Sequence, residues 1–318
     1  MKMLIVGAGD IGRRVLAKTK RHDTVWAATS TPSKRASLKR LGAVSLLADL
    51  DRPGTLKHLP RDWQVLIHAA PPQSYLTRDL RTRNLLRSVA FLHRGQRAQP
   101  QRLAARPVAP QKRHARCVVY LSTSGVYGDC GGARITEAQP LHPLNARARR
   151  RVDAESVLTR AAKRGAFRLI ILRVPGIYAA DRLPLARLRA GTPALATGED
   201  VYTNHIHAAD LATITLAAVR RMQRRAHPHV RVYHASDDSR LKMGDYFDLV
   251  ADAFGLPRPA RLPRAQLEAA VSPMLRSFMS ESRRLDNSRM KRELRVRLQF
   301  PVAANGVADA VKLLSSRA

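Results

Sequence analysis

The sequence predicts an α/β fold with a doubly wound parallel sheet and a smaller C-terminal lobe. The first observation behind this prediction is that short apolar runs alternate with helical patterns through the first half of the chain, which indicates right-handed crossovers between parallel strands. The second is a glycine-rich segment, residues 7–12, placed between the first apolar run and the first helical pattern. The third is a length of 318 residues with 45% hydrophobic residues, which is enough for a full core and a second lobe.

Apolar runs and periodicity place the elements of this fold. The predicted strands cover residues 3–6, 24–28, 44–48, 64–69, 117–122, 168–173 and 230–234. A predicted helix follows Gly12, and others cover residues 33–41, 79–92 and 146–164. We expect residues 1–174 to form the sheet domain and residues 175–318 to form a mixed substrate lobe, with a segment of about 205–235 returning to the sheet.

Residues 93–116 form a basic insertion within the sheet domain. The segment contains Pro100, Pro107 and Pro110, several arginines and no acidic residue. A solvated linker and a phosphate-binding arm both fit this composition. The linker interpretation is favoured because the segment has no aromatic side chain on which a base could stack.

The formal net charge of +33, from 57 Lys and Arg against 24 Asp and Glu, would attract any polyanion. The arginines are spread along the whole chain, and aromatic residues make up only 5% of it. We therefore favour a compositional bias and do not expect nucleic acid as a partner. No membrane span or signal segment is apparent, so the expected location is the cytoplasm. Cys117 and Cys130 lack metal-ligand spacing, so we expect reduced thiols and no metal site.

The glycine-rich segment predicts a dinucleotide site in a Rossmann-type domain. Gly7 permits a tight turn, Gly9 lets backbone N–H groups approach a pyrophosphate, and Gly12 allows close packing of helix on strand. Asp10 and Ile11 lie between the last two glycines, in the first turn of the helix that would face the pyrophosphate. A purely structural turn is the less favoured alternative.

The end of the second predicted strand indicates which dinucleotide is bound. NAD-binding domains carry an acidic residue there for the ribose hydroxyl, whereas residues 28–31 of this chain contain none. Ser30, Lys34 and Arg35 instead offer a hydroxyl and two cations, which suit a 2′-phosphate. NADP is therefore preferred over NAD, with ordinary surface cations as the alternative.

Residues 121–128, Leu-Ser-Thr-Ser-Gly-Val-Tyr-Gly, resemble the extended short-chain dehydrogenase/reductase family, the NAD-dependent epimerase/dehydratases. The resemblance covers nearly the whole chain. It continues at residues 49–51, 68–71, 172–178, 205–212 and 286–289. It implies that Asp49 and Leu50 contact the adenine, and that Ala69, Ala70, Pro71 and Pro175 lie along the cofactor.

The same resemblance implies a Ser or Thr, a Tyr and a Lys at the reacting carbon, with the Tyr as acid/base. Thr123 matches the first position, although it can equally cap the strand end. Counting back from Glu155 places Arg151 at the Lys position and Arg147 at the Tyr position. Arg147 cannot act as a base at neutral pH because its guanidinium stays protonated. Arg151 can hold a ribose hydroxyl or a phosphate, and a solvated basic helix face is the favoured alternative.

A replacement acid/base has to come from elsewhere. Tyr127 is the best candidate, because the family places this residue close to the substrate. Tyr75, Tyr178 and His205 are further candidates for substrate contact. For each of these residues an ordinary packed or half-exposed aromatic side chain is the favoured alternative.

Two functions follow from these residues. The first is an NAD(P)-binding oxidoreductase or epimerase/dehydratase-like enzyme with a small-molecule substrate; the resemblance also implies a homodimer. The second is a catalytically inactive, NADP-sensing regulator whose basic surface meets a protein or a nucleic acid, which the missing Tyr and Lys suggest.

Overall fold

The computed structural model describes residues 1–94, 116–224 and 228–316 of the chain. The predicted basic insertion lies outside these residues apart from its ends. Thirteen strands are present in the described part: β1 Lys2–Val6, β2 Thr24–Thr29, β3 Val44–Leu47, β4 Val65–His68, β5 Cys117–Thr123, β6 Arg134–Ile135, β7 Arg168–Val174, β8 Gly176–Tyr178, β9 Ala194–Leu195, β10 His205–His207, β11 Val230–His234, β12 Arg261–Leu262 and β13 Arg284–Leu285.

Eleven α-helices are present in the same described ranges: α1 Asp10–Ala17, α2 Arg35–Arg40, α3 Leu80–Arg94, α4 Ala146–Lys163, α5 Leu185–Arg189, α6 Ala208–Met222, α7 Met243–Ala253, α8 Arg264–Ala270, α9 Pro273–Met279, α10 Ser288–Leu294 and α11 Ala303–Ser315. The predicted helix over residues 33–41 begins as a 3-10 turn, Pro32–Lys34. The N–H of Lys34 donates to the carbonyl of Thr31 at 3.2 Å, three residues earlier, which is the hydrogen bond of a 3-10 helix. The α-helix follows this turn.

Seven parallel strands form the central sheet in the order β11-β7-β5-β4-β1-β2-β3. The strand order reverses at β1, which pairs with β2 on one side and β4 on the other. In a doubly wound sheet, ligands bind outside the carboxyl ends of the strands at this reversal. The predicted fold class is therefore confirmed, and the loops after β1 and β4 become the first place to look for a site.

The interior strands of the sheet are mostly apolar, as expected for a sheet with helices on both faces. Met3, Leu4 and Ile5 of β1 are fully buried, and so are Leu66 and Ile67 of β4. This burial explains why the sequence places these strands correctly: a continuous apolar run bounded by turn residues leaves no solvent-facing side.

The chain divides into two compact units that alternate along the sequence. The first contains residues 1–121, 150–171 and 215–231, and the second contains residues 122–149, 172–214 and 232–318. The first unit holds β1 to β4 and α1 to α3 complete, together with the glycine-rich segment.

The second unit has its own apolar core. Buried side chains of α7 and α11, including Phe247, Val250 and Val307, pack there with Tyr178 of β8. Three two-stranded parallel ribbons border this core, β8 with β10, β9 with β12, and β6 with β13. Among the helices described, none combines the length and the apolar character needed to cross a membrane.

We predict that Gly7→Ala destabilises the protein more than Gly42→Ala. The two glycines have nearly the same φ, +83° and +85°. An added Cβ at Gly7 would lie 2.3 Å from the backbone N of Ala70. At Gly42, no atom of the described residues lies within 4 Å of an added Cβ. Gly42→Ala should cost about 1–2 kcal/mol from backbone strain alone, and Gly7→Ala about 3 kcal/mol or more, because backbone cannot move aside.

Urea unfolding of both variants at one pH measures this difference. Equal losses would mean that the contact between Gly7 and Ala70 does not constrain the folded state.

Candidate functional site

The glycine-rich turn after β1 is tied to the neighbouring strand. The N–H groups of Gly7 and Ala8 both donate to the carbonyl of Ala28 at the end of β2, at 3.2 and 3.0 Å. The N–H of Gly9 then turns back to the carbonyl of Gly7 at 2.7 Å. The turn is therefore fixed before α1 begins, so its geometry does not depend on a ligand.

The three glycines differ in what a side chain would meet. At Gly12 an added Cβ would lie 3.0 Å from the carbonyl O of Gly7 and 3.3 Å from Cγ2 of Ile5, so α1 packs closely on β1. At Gly9 the only atom of the described residues within 4 Å of an added Cβ is the carbonyl O of Gly7, at 4.0 Å. Gly7 and Gly12 are thus needed for packing, while the Gly9 side of the turn is open.

Asp10 and Ile11 form the first turn of α1, directly after Gly9. Asp10 accepts a hydrogen bond from Nε of Arg14, one turn later, at 2.9 Å. Ile11 is largely buried against the core. The first N–H groups of a helix have no acceptor within the helix, so this end carries a partial positive charge that favours an anion.

The end of β2 carries the cations that the sequence analysis singled out. Ser30 and Lys34 are exposed. Arg35 is exposed as well, and its Nη2 donates to the carbonyl of Ser45 in β3 at 3.4 Å. No acidic residue is present from Ala28 to Arg35, so the negative group that would repel a 2′-phosphate is missing here.

The loops after β3 and β4 are both held by α3. Asp51 in the first loop receives two hydrogen bonds from Arg81, and Leu50 receives one at its carbonyl from Asn84, at 2.9 Å. Asp49 accepts from the N–H of Asp51 at 3.0 Å, which closes the loop on itself. Leu50 is buried, whereas the carboxylate of Asp51 keeps part of its surface in solvent.

Residues 69–71 follow β4 and lie against the glycine-rich turn. The N–H of Ala69 donates to the carbonyl of Val6 at 2.8 Å, and Ala70 approaches Gly7. The carbonyl of Pro71 accepts from Arg81 at 3.0 Å. The first unit therefore brings together the predicted cofactor residues of the turn and of both loops.

Arg151 of α4 is turned toward the sheet. Its Nη1 donates to the carbonyl of Leu121 at 2.9 Å and to the hydroxyl of Tyr120 at 3.1 Å. Arg150 is buried, and its Nη1 donates to the carbonyl of Leu76 at 2.8 Å. The favoured interpretation of residues 147–151 as a solvated basic face is therefore wrong for these two arginines: free carbonyl groups of the sheet domain give them partners that the sequence could not show.

A buried polar chain that the sequence analysis missed lies beside Arg151. Nε2 of His68 lies 2.9 Å from Oγ1 of Thr82, and the Thr82 hydroxyl donates to Oδ2 of Asp79 at 2.6 Å. Because that hydroxyl proton goes to Asp79, Nε2 of His68 is the donor in the first bond. Burial, together with the charge of Arg151, lowers the pKa of His68 to about 3. His68 is therefore neutral at physiological pH. Burial also affects the neighbouring Tyr120 and raises the pKa of its hydroxyl to about 12.

The sequence offers one signal for this chain. A histidine that ends an otherwise apolar strand needs a polar partner when it is buried, and an Asp-x-x-Thr pattern at the next helix start supplies one. The helix start was predicted at Asp79, but its pairing with the strand required the tertiary structure.

Thr123 and Tyr127 belong to the second unit. Oγ1 of Thr123 accepts from the N–H of Gly125 at 3.2 Å, which is the capping role given as its alternative. Tyr127 is buried, and its hydroxyl lies 2.5 Å from Nε2 of His234 and 2.7 Å from Nη1 of Arg173. These contacts favour the packing interpretation of Tyr127, because its hydroxyl is already held on both sides.

Tyr178 and His205, the predicted substrate residues of the second unit, lie in its interior. Their rings form a T-shaped pair with centroids 6.2 Å apart, and the ring of His205 lies 4.1 Å from that of Tyr246. Burial lowers the pKa of His205 to about 4. The nearby Asp237 is also buried, and desolvation raises the pKa of its carboxyl to about 7. These contacts favour packing roles for both rings.

The remaining candidates are placed as follows. Tyr75 in the first unit is 57% exposed, which leaves its phenol accessible. Pro175 follows β7 and is half-buried in the second unit. The guanidinium of Arg147 lies 4.4 Å above the ring of Phe278, also in the second unit. An arginine stacked in this way cannot replace the acid/base tyrosine.

Comparison with known proteins gives one family and many related folds. The protein family described as RmlD substrate binding domain matches residues 1–311. No match was found among curated proteins. A solved, functionally unknown conserved protein from Silicibacter pomeroyi is 27% identical with a TM-score of 0.74, covering 98% of this chain and 99% of its own.

Two solved enzymes share the fold at lower identity. UDP-glucose 4-epimerase from Thermotoga maritima, determined with UDP-glucose, is 14% identical with a TM-score of 0.74, covering 100% of this chain and 99% of its own. dTDP-glucose 4,6-dehydratase from Streptomyces venezuelae, determined with NAD, is 18% identical with a TM-score of 0.74, covering 99% and 97%.

We predict that Tyr127→Phe lowers the free energy of unfolding by about 1–3 kcal/mol, because it leaves Arg173 and His234 buried without their shared partner. Urea unfolding measures the loss. Tyr75→Phe is the matched control; the same atom is removed from an exposed side chain, so the change should stay within about 0.5 kcal/mol. Unchanged stability in Tyr127→Phe would contradict the packing role.

Proposed function

The chain belongs to the RmlD substrate binding domain family, and we propose that it is an NAD(P)-dependent oxidoreductase or epimerase/dehydratase-like enzyme acting on a small polar substrate. The observation that carries the proposal is the open face at Gly9. The turn is held by hydrogen bonds to its neighbours, yet among the described residues an added Cβ at this position would meet only one atom, the carbonyl O of Gly7 at 4.0 Å. A pyrophosphate needs such an approach to backbone at the start of a helix.

The residues of the first unit fit the parts of a dinucleotide. The turn and the start of α1 would receive the pyrophosphate, residues 49–51 would border the adenine, and residues 69–71 would lie along the cofactor. The nicotinamide, when bound, supplies the hydride acceptor and donor. The remaining N–H donors of Arg151 would hold the ribose hydroxyls, since its guanidinium is always charged and is already oriented by Leu121.

In this proposal, proton transfer is the step that differs from the family pattern, because Arg147 and Arg151 take the positions assigned to Tyr and Lys. Arg147 stays protonated, and the buried His68 stays neutral with its Nε2 proton directed to Thr82. The catalytic assignments of Thr123 and Tyr127 stay predictions, and so do the substrate assignments of Tyr178 and His205. Among the aromatic candidates, Tyr75 has the accessible phenol, so we assign it the substrate-side role within this proposal.

Nucleotide sugars are the first substrate class to screen, because one fold neighbour is a UDP-glucose 4-epimerase and another is a dTDP-glucose 4,6-dehydratase. The choice of cofactor is NADP over NAD in this proposal. Ser30, Lys34 and Arg35 would border the ribose 2′ group, and all three residues are exposed.

We predict that Gly9→Val weakens binding of NADPH and NADH at least about 100-fold, because the side chain fills the face where the pyrophosphate would lie. Isothermal titration calorimetry of ligand-free protein measures both affinities. Gly198→Val is the matched control, since no described atom lies within 4 Å of an added Cβ at this glycine of the second unit. If the native protein binds neither dinucleotide, the proposed function is wrong.

We predict that Arg35→Glu weakens NADPH about tenfold or more and NADH by less than about threefold, because a carboxylate beside the 2′-phosphate repels only the phosphorylated cofactor. The same calorimetry provides the ratio, with Arg40→Glu, later on α2, as the control for a charge change on the helix. Equal losses for the two cofactors would contradict the assigned role of Arg35.

A further inference from the structure

One arginine at the start of α3 connects the two loops that would border the adenosine half of the cofactor. Nε and Nη2 of Arg81 donate to Oδ1 and Oδ2 of Asp51 at 2.9 and 2.6 Å. Its Nη1 donates to the carbonyl of Pro71 at 3.0 Å. A single planar guanidinium thus makes a bidentate ion pair with one loop and a hydrogen bond to the other, which its fixed fork of donors allows.

These loops are not neighbours through strand pairing. β1 and β2 lie between β4 and β3 in the sheet. With neighbouring strands about 4.8 Å apart, the two loops begin roughly 14 Å apart along the sheet edge. Strand pairing sets where the two loops begin, but it does not set the separation of Asp51 and Pro71 within them. Arg81 of α3 bonds to both residues and so fixes that separation. Asn84, one turn later, adds the bond to the carbonyl of Leu50.

The ion pair is formed throughout the neutral range. The hydrogen bonds from Arg81 lower the pKa of the Asp51 carboxyl below its usual value. Their side chains are 26% and 28% exposed, so solvent only partly screens the pair. Arg81 directs three of its N–H donors at the two loops, so it acts on a ligand through the position of these loops.

We propose that Arg81 is a positioning residue that sets the spacing between residues 49–51 and residues 69–71 and thereby the affinity for the adenosine end of the dinucleotide. The proposal rests on the proposed function, because it assigns these loops to that cofactor. It adds a residue that no motif of the sequence indicates.

The test uses the full-length protein and two fragments of the cofactor. ADP reports on the adenosine half, and reduced nicotinamide mononucleotide reports on the other half. Arg81→Met keeps the length of the side chain and removes all three hydrogen bonds. Arg81→Lys keeps the charge but cannot make the planar bidentate pair together with the bond to Pro71. Both should weaken ADP and NADPH about tenfold or more in calorimetry, and leave the affinity for the nicotinamide fragment unchanged.

Arg83→Met is the matched control for a purely structural effect. Arg83 lies on the same helix, its side chain is 29% exposed, and it donates to Asp153 at 2.6 Å. It makes no hydrogen bond to either loop in the described part of the chain. Its loss should lower thermal stability as much as the loss of Arg81 does, and leave ADP affinity at the native value.

Hydrogen exchange of the ligand-free protein supplies a second measurement. Arg81→Met should speed exchange in residues 49–52, whereas Arg83→Met should leave it unchanged. Native protein that binds no dinucleotide would refute the proposed function. Native binding with undiminished ADP affinity in folded Arg81→Met would refute the role of Arg81 alone, as would equal losses of ADP affinity in Arg81→Met and Arg83→Met.

Discussion

The close approach of two backbone segments is the constraint on which the first unit depends. Gly7, in the left-handed region, lies where a side chain would strike the backbone of Ala69 and Ala70. This contact brings the loop after β4 against the turn after β1, at the reversal of strand order. The N–H groups of Gly7 and Ala8 connect the same turn to β2. The ends of three adjacent strands are thus held together without any side chain at the turn.

Arginine side chains hold several loops of the first unit by hydrogen bonds, so part of the high positive charge serves the fold. Guanidinium groups of the first unit donate to main-chain carbonyls of two loops, one strand and one helix end: Arg81 to Pro71, Arg150 to Leu76, Arg151 to Leu121 and Arg168 to Met222. A long side chain with five donors can reach carbonyls on separate elements and loops. Part of the charge that composition suggested to be mere bias therefore has a structural role.

The strands of the sheet and the glycine-rich turn could be predicted because their signals are local. A continuous apolar run, a turn and a helical period lie within a few residues of each other, and the structure confirms the predicted strands. The side-chain partners could not be predicted in the same way. Arg81 meets Asp51, and His68 meets Thr82, only after α3 has packed on the sheet. Tyr127 is a further example, since its motif matches the family while its hydroxyl is held by Arg173 and His234, far away in sequence.

The alternation of the two units along the chain has a consequence for synthesis on the ribosome. The first unit takes its last segment, residues 215–231, from a point well beyond the glycine-rich turn. That unit is therefore incomplete until residues 215–231 have been synthesised, although the sheet neighbours of β1 to β4 all lie within the first 123 residues. Until then the unit lacks a segment of its final fold, and apolar surface exposed in such a partial fold favours self-association.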